Sequence, residues 1–128
     1  MTTWTSDELD KIGTAEELKI VSLRSDGTLT KPVTIWIVRD GDDLYVRSVN
    51  GRTAAWFRGT QVRHEGRIEA GGVAKDVTFV DADPEINDKL DALYRTKYRR
   101  YAANFINSIV TPKARSTTLK VVPCSTSP

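Results

Sequence analysis

One cysteine and one histidine are the chain's whole supply of soft metal ligands and imidazole. Zinc sites draw on several such residues at set spacing, so no metal site is expected. Cys124 has no second cysteine to pair with, and it sits in a Ser, Thr and Pro tail that lacks the electropositive packing of a reactive thiol. There is no apolar run of about 18 residues, the length a membrane helix needs. The start Met1-Thr2-Thr3-Trp4 lacks the basic-then-apolar pattern of secretion, so a cytoplasmic address without a membrane partner is expected. Excess charge is scarce too: 19 Lys and Arg against 17 Asp and Glu leave +2. No whole-chain field draws this protein to nucleic acid, and any anion site must be local.

What is present is ordinary globular material. The 128 residues are 39% hydrophobic and 28% charged, with three Trp, four Tyr and three Phe to fill an interior. That length suits one core and is short for two, so a single domain over residues 1–123 is expected, followed by a disordered tail over 124–128.

Thr5, or Ser6 beside it, starts a short helix through Ile12, because Thr5 and Glu8 have capping-box spacing; Gly13 ends it, and Thr14 to Glu17 repeats the box for one more turn. The apolar period then becomes that of strands. Lys19–Arg24, Lys31–Arg39 and Asp43–Val49 form a meander with turns at Ser25-Asp26-Gly27 and Asp40-Gly41-Asp42. In its middle strand both faces look partly buried, as closure into a barrel or a packed partner requires. Arg52 to Gly59 reads as a short helix terminated by that glycine. Gln61–Glu69 and Val73–Val80 are two more strands about Ala70-Gly71-Gly72. Asp83-Pro84 starts a long helix that runs to about Asn107, and Thr117–Val122 is the last strand. The sum is a mainly β fold, a six-stranded antiparallel barrel with one short helix inside the strand order and one long helix after it. An open α+β sheet is the alternative.

The densest chemistry lies in Arg47-Ser48-Val49-Asn50-Gly51-Arg52-Thr53-Ala54-Ala55-Trp56. A strand gives way at once to a helix, so small side chains, amide donors and guanidinium groups meet where anions bind. A plain turn with solvated arginines is the other reading.

From about Thr30 to Asp81 the chain resembles the flavin-binding split-barrel superfamily, which includes pyridoxamine-phosphate-oxidase-like proteins and deazaflavin-dependent nitroreductases, and within it a small family of undefined function. The resemblance is carried by Thr-Lys-Pro-Val-Thr-Ile-Trp-Ile-Val, Asp-Gly-Asp-Asp-Leu-Tyr-Val-Arg-Ser and Asn-Gly-Arg-Thr-Ala-Ala-Trp-Phe-Arg-Gly in that order. It implies a homodimer that binds FMN or a deazaflavin. Ser48, Asn50, Gly51, Arg52 and Thr53 would lie on the phosphate side, with Trp36 and Arg47 nearer the ring or ribityl chain. Trp56 resembles the Ala-Trp pair of the deazaflavin branch. The implied activity is hydride transfer to a small electron-poor acceptor of the quinone or nitro type, carried by the cofactor, with no catalytic side chain required. A cofactor-free binding or structural module is the competing reading.

His64, on an expected alternating strand, reads as a packed or interface residue, or else as a proton donor beside a cofactor. Asp81, Asp83, Glu85 and Asp88 read as helix capping before paired acid and base groups. Tyr94 to Tyr101 is the one basic run; helical spacing puts its tyrosines on one stripe, which favours packing on the barrel over stacking with nucleic acid.

Overall fold

Thr5 and Glu8 form the capping box that their spacing suggests. The Glu8 amide donates to Thr5 Oγ1 at 3.1 Å and the Thr5 amide to Glu8 Oε1 at 2.9 Å, which starts α1 (Ser6–Thr14). The computed structural model describes residues 3–124, so the expected tail lies outside the described residues apart from Cys124. After α1 come β1 (Leu18–Ser22), β2 (Val33–Ile35), β3 (Ile37–Asp40), β4 (Asp43–Val46), a 3-10 turn (Gly51–Thr53), α2 (Ala55–Arg63), β5 (Glu65–Ala70) and β6 (Val73–Asp81). A second 3-10 turn (Pro84–Ile86), α3 (Asn87–Lys97), α4 (Ala103–Ile109), α5 (Pro112–Arg115) and β7 (Leu119–Pro123) follow among the described residues.

Every strand pairing is antiparallel, and the order across the sheet is β2-β1-β5-β6-β7-β4-β3. The run expected as one strand over Lys31–Arg39 is therefore two, and the six expected strands become seven. Ile35 pairs with Leu18 at one edge of the sheet, while Ile37 pairs with Val46 at the other. A single run thus supplies both edges, with the break at Trp36, and the sheet curls into a nearly closed barrel. The open alternative does not hold.

At this seam the backbone finds partners outside the sheet. The Ile37 amide donates to the Tyr98 hydroxyl at 3.2 Å, and Lys97 Nζ donates to the Ile37 carbonyl at 2.6 Å. The Tyr98 hydroxyl in turn donates to the Glu16 carbonyl at 2.7 Å.

Period-two alternation sorts the strand side chains into two cores. Leu18, Ile20, Ile37, Leu44, Val46, Ile68, Val77, Phe79, Leu119 and Val121 fill the barrel, joined by Leu9 and Ile12 of α1 and by Trp56 and Phe57 of α2. Val38 and Tyr45 point the other way and are covered by Leu90, Tyr94 and Tyr98 of the α3 region and by Ile106 and Ile109 of α4. This second layer is why both faces of the β3 run are buried.

Three further expectations change. α2 does not stop at Gly59: a Cβ there would stand 2.2 Å from Ser22 Oγ, so this glycine serves close packing on β1. The helix runs to Arg63 and ends on His64, which is exposed with φ 57°; His64 is neither packed nor on a strand. The long helix expected to about Asn107 breaks after Lys97. Tyr98 and Tyr101 both contact the Trp36 ring, at centroid distances of 3.9 and 5.1 Å, and a tight turn with the Tyr101 amide on the Tyr98 carbonyl brings them there. The last strand starts at Leu119 rather than Thr117, because the Thr117 and Thr118 hydroxyls donate to the carbonyls of Ala114 and Arg115.

Arg47, directly after β4, is fully buried. It donates to Asp91 Oδ1 at 2.5 Å, Thr118 Oγ1 at 3.0 Å, the Ile109 carbonyl at 3.0 Å and the Asn87 carbonyl at 3.1 Å, and its guanidinium lies 5.3 Å from the Tyr94 ring centroid. One side chain thereby ties the sheet to α3, α4 and the start of β7. Removing it strands carbonyls and a carboxylate, so Arg47→Met is expected to cost about 2–4 kcal/mol; a urea midpoint that hardly moves contradicts this account.

Burial pushes the Lys97 ammonium down to about 8. Its folded pKa lies below the unfolded value of ~10.4, so the unfolded chain holds more protons between those values and this group adds stability as pH rises through the window. The stability of the wild type relative to Lys97→Met should therefore grow between pH 8 and about 10, read by urea unfolding at both ends; a flat difference refutes the assignment.

Candidate functional site

The seam opens onto a groove of about 290 Å³. Val33, Thr34, Ile35 and Trp36 form one wall, and Ser48, Val49 and Asn50 of the turn after β4 form the second. Trp56 of α2, with Phe105 and Ser108 of α4, completes it. Among the described residues no charged side chain lines it. Trp36 lies flat on Tyr98 at an interplanar angle of 3°, and Trp56 is 3% exposed, edge-on to Phe57. Val33, Val49 and Phe105 leave 38, 44 and 58% of their surface exposed around the groove.

Of the residues singled out in the sequence, Trp36, Ser48, Asn50 and Trp56 share this groove. Arg47 does not. Strand alternation sends Val46 into the barrel and Arg47 to the opposite side, where its donors serve Asp91, Thr118, Ile109 and Asn87. Arg52 faces a separate cleft of about 510 Å³ that it shares with Asp81, Asn87 and Arg115. It donates to the Ser116 carbonyl at 2.9 Å and lies 5.2 Å from the Phe57 ring centroid. The guanidinium groups thus part to different sides of the turn instead of meeting at one point.

The turn itself is closely braced. Ser48 Oγ donates to the Gly51 carbonyl at 2.8 Å, the Gly51 amide returns to the Ser48 carbonyl at 3.0 Å, and the Ser48 amide donates to Thr117 Oγ1 at 2.8 Å. Thr53 Oγ1 donates to the Asn50 carbonyl at 3.3 Å. Gly51 has φ 77°, a conformation that side chains disfavour, and the stem of Lys113 covers it so closely that a Cβ would come within 2.6 Å of Lys113 Cγ. Lys113 thereby joins Arg52 on the outer side of the turn, a cation that the sequence reading passed over because Thr111-Pro112 registered only as an interruption. Phe105 and Ser108 were missed for a similar reason: nothing local marks which face of an expected long helix meets a groove.

A flavin-type ring system fits this donor set in part. The groove has the size and the flat aromatic wall for a fused ring, with Thr34, Ser48, Asn50 and Ser108 as the polar residues of its lining; the Ser108 hydroxyl donates to the Phe105 carbonyl at 2.6 Å. A phosphate has no cation inside the groove. Its available partners are the exposed Arg52 and Lys113, beyond Gly51.

Solved structures share the fold at low sequence identity. An F420-H2 dependent reductase superposes with a TM-score of 0.60 at 12% identity, over 84% of this chain and 93% of that one. HutZ, the heme storage protein from Vibrio cholerae, gives 0.65 at 11% over 95% and 91%. A FAD-binding protein from Mesorhizobium loti gives 0.55 at 12% over 94% and 89%. Comparison with curated proteins finds no match. In sequence, residues 8–121 match the family described as uncharacterized protein conserved in bacteria (DUF2255), and the chain belongs to that family.

Proposed function

We propose that this protein binds the ring of a flavin-type cofactor, FMN or a deazaflavin, in the groove at the barrel seam. The observation that carries the reading is the meeting of Trp36, Ser48, Asn50 and Trp56 around one apolar space of about 290 Å³. Structural relatives whose names include an F420-H2 dependent reductase and a FAD-binding protein support it. Trp36 offers a stacking face, Asn50 a polar contact at the mouth, and the Gly51–Thr53 turn with Arg52 and Lys113 the cationic surface for a phosphate tail. Bound there, such a cofactor supplies hydride transfer to a small electron-poor acceptor, quinone or nitro in type. The chain's own share is to hold and orient the ring and to keep water from it. Arg47 has no place in this reading, since its donors are used within the fold.

The groove is open on one side, and the exposed Val33, Val49 and Phe105 suit a second copy packed against it. A homodimer closes the site. Phe105→Asp is expected to shift the protein toward monomer in sedimentation and to weaken cofactor binding with it; a dimer that persists unchanged removes Phe105 from the interface.

The cofactor reading is tested by titrating FMN, riboflavin and coenzyme F420 against the purified protein and following fluorescence and absorbance. Trp36→Ala should weaken every ring ligand by about tenfold. Arg52→Ala should weaken FMN by about tenfold while leaving riboflavin, which lacks the phosphate, unchanged. The division of the guanidinium groups favours one competitor, a cofactor-free module. In that case no flavin binds, and Arg52→Ala alters no ligand response.

A further inference from the structure

We infer that Tyr98 is the positioning residue for Trp36, setting the tilt of the groove's aromatic wall from the far side of the indole. Two independent contacts converge on it. Its ring lies parallel to the Trp36 ring at a centroid distance of 3.9 Å. Its hydroxyl accepts from the Ile37 amide at 3.2 Å and donates to the Glu16 carbonyl at 2.7 Å. The first contact fixes the indole plane, and the second fixes the backbone one residue along from it.

Neither hold is shared with the sheet. Trp36 lies between β2 and β3 and outside both ladders, so the register that orients other strand side chains stops on either side of it. Tyr98 is 1% exposed and Trp36 is half-buried. One indole face is taken by the tyrosine, and the residue also lines the groove. Lys97 adds a grip on the Ile37 carbonyl, and the Tyr101 hydroxyl donates to Glu16 Oε2 at 3.0 Å. The end of α3 thus clamps the seam and the stretch after α1 together. Burial pushes the Tyr98 phenol up, so its proton stays available to Glu16 at neutral pH. The effect on ligand binding rests on the ring-site reading of the groove, whereas the geometric claim does not.

The experiment reads Trp36 directly. Protein labelled with 5-fluorotryptophan gives a fluorine line for each of its three tryptophans, and Trp36→Phe identifies the line of interest. Tyr98→Phe keeps a ring and deletes only the hydroxyl. It is expected to shift or broaden the Trp36 line while the Trp4 and Trp56 lines, both from buried residues, stay in place and report a native fold. Lys97→Met, which removes the companion grip, should move the same line and serves if Tyr98→Phe does not fold. Tyr94→Phe is the control: it lies in α3 one turn before Tyr98, fully buried, and its hydroxyl has no hydrogen-bond partner among the described residues, so all three lines should hold. A Trp36 line that ignores a folded Tyr98→Phe, or that moves equally in Tyr94→Phe, overturns the proposal. Riboflavin titration forms the second arm, with about tenfold weaker binding expected in Tyr98→Phe. Wild-type protein that ignores riboflavin defeats the ring-site reading alone, and the fluorine lines then decide the case of Tyr98.

Discussion

One extended run has to serve as both edges of the same sheet, and much of the molecule is arranged around that demand. The segment that pairs through Ile35 with β1 and through Ile37 with β4 must leave one partner before joining the other. At the crossing the backbone has no ladder, yet a buried amide without an acceptor is costly. The chain meets this with side chains at the end of α3 and just beyond it, the Lys97 ammonium for the Ile37 carbonyl and the Tyr98 hydroxyl for its amide. Closure of the barrel and placement of α3 therefore share the same contacts. The groove belongs to it as well, because the residue left between the ladders is Trp36, and its indole lines the opening.

Arg47 shows the same economy in electrostatics. A guanidinium removed from water is tolerable when its donors are satisfied, and here Asp91, Thr118, Asn87 and Ile109 together do so. That set reaches into both helices of the outer layer and into the approach to β7, so the cation organises the second core instead of the groove. The groove is left neutral and apolar, with cations only outside the turn. A planar, mostly uncharged group suits its interior, and a negative charge suits its rim.

Where a signal was local, the sequence carried it. Thr5 with Glu8 and the glycine turns of the meander depend on neighbours a few residues away, and the structure contains them; Asp83 with Pro84 starts a 3-10 turn ahead of α3, and the alternation expected from Gln61 holds only from Glu65. The meeting of Trp36, Ser48, Asn50 and Trp56 was within reach because three of them lie in one strand-to-helix junction. What was hidden depends on distant partners. Trp36 satisfies a strand's period as well as any β residue, and only the sheet order marks it as a break. Gly59 looks like a helix stop until Ser22 stands against it. Tyr98 and Tyr101 keep helical spacing, but both are drawn to the Trp36 ring and the helix ends there. Arg47 reads from the sequence as a contact to a cofactor's ring or ribityl chain, or as a solvated turn residue, since burial of so large a cation shows only once its four partners are assembled from other parts of the chain.

For the ring ligand proposed above, the seam would couple binding to the fold. A ligand stacked on Trp36 contacts a residue whose position depends on closure, so it binds the closed barrel in preference to any state in which the β2 and β3 edges part. Binding energy then appears as added stability, in proportion to the logarithm of ligand over dissociation constant. That coupling would run through Tyr98, because this residue touches the indole on one side and the backbone of the seam on the other. A site on a preformed rigid wall would gain affinity from contacts alone. For the proposed ring ligand, part of the affinity would depend on how firmly the α3 end holds the seam, which would make a helix outside the barrel a determinant of binding at its opening.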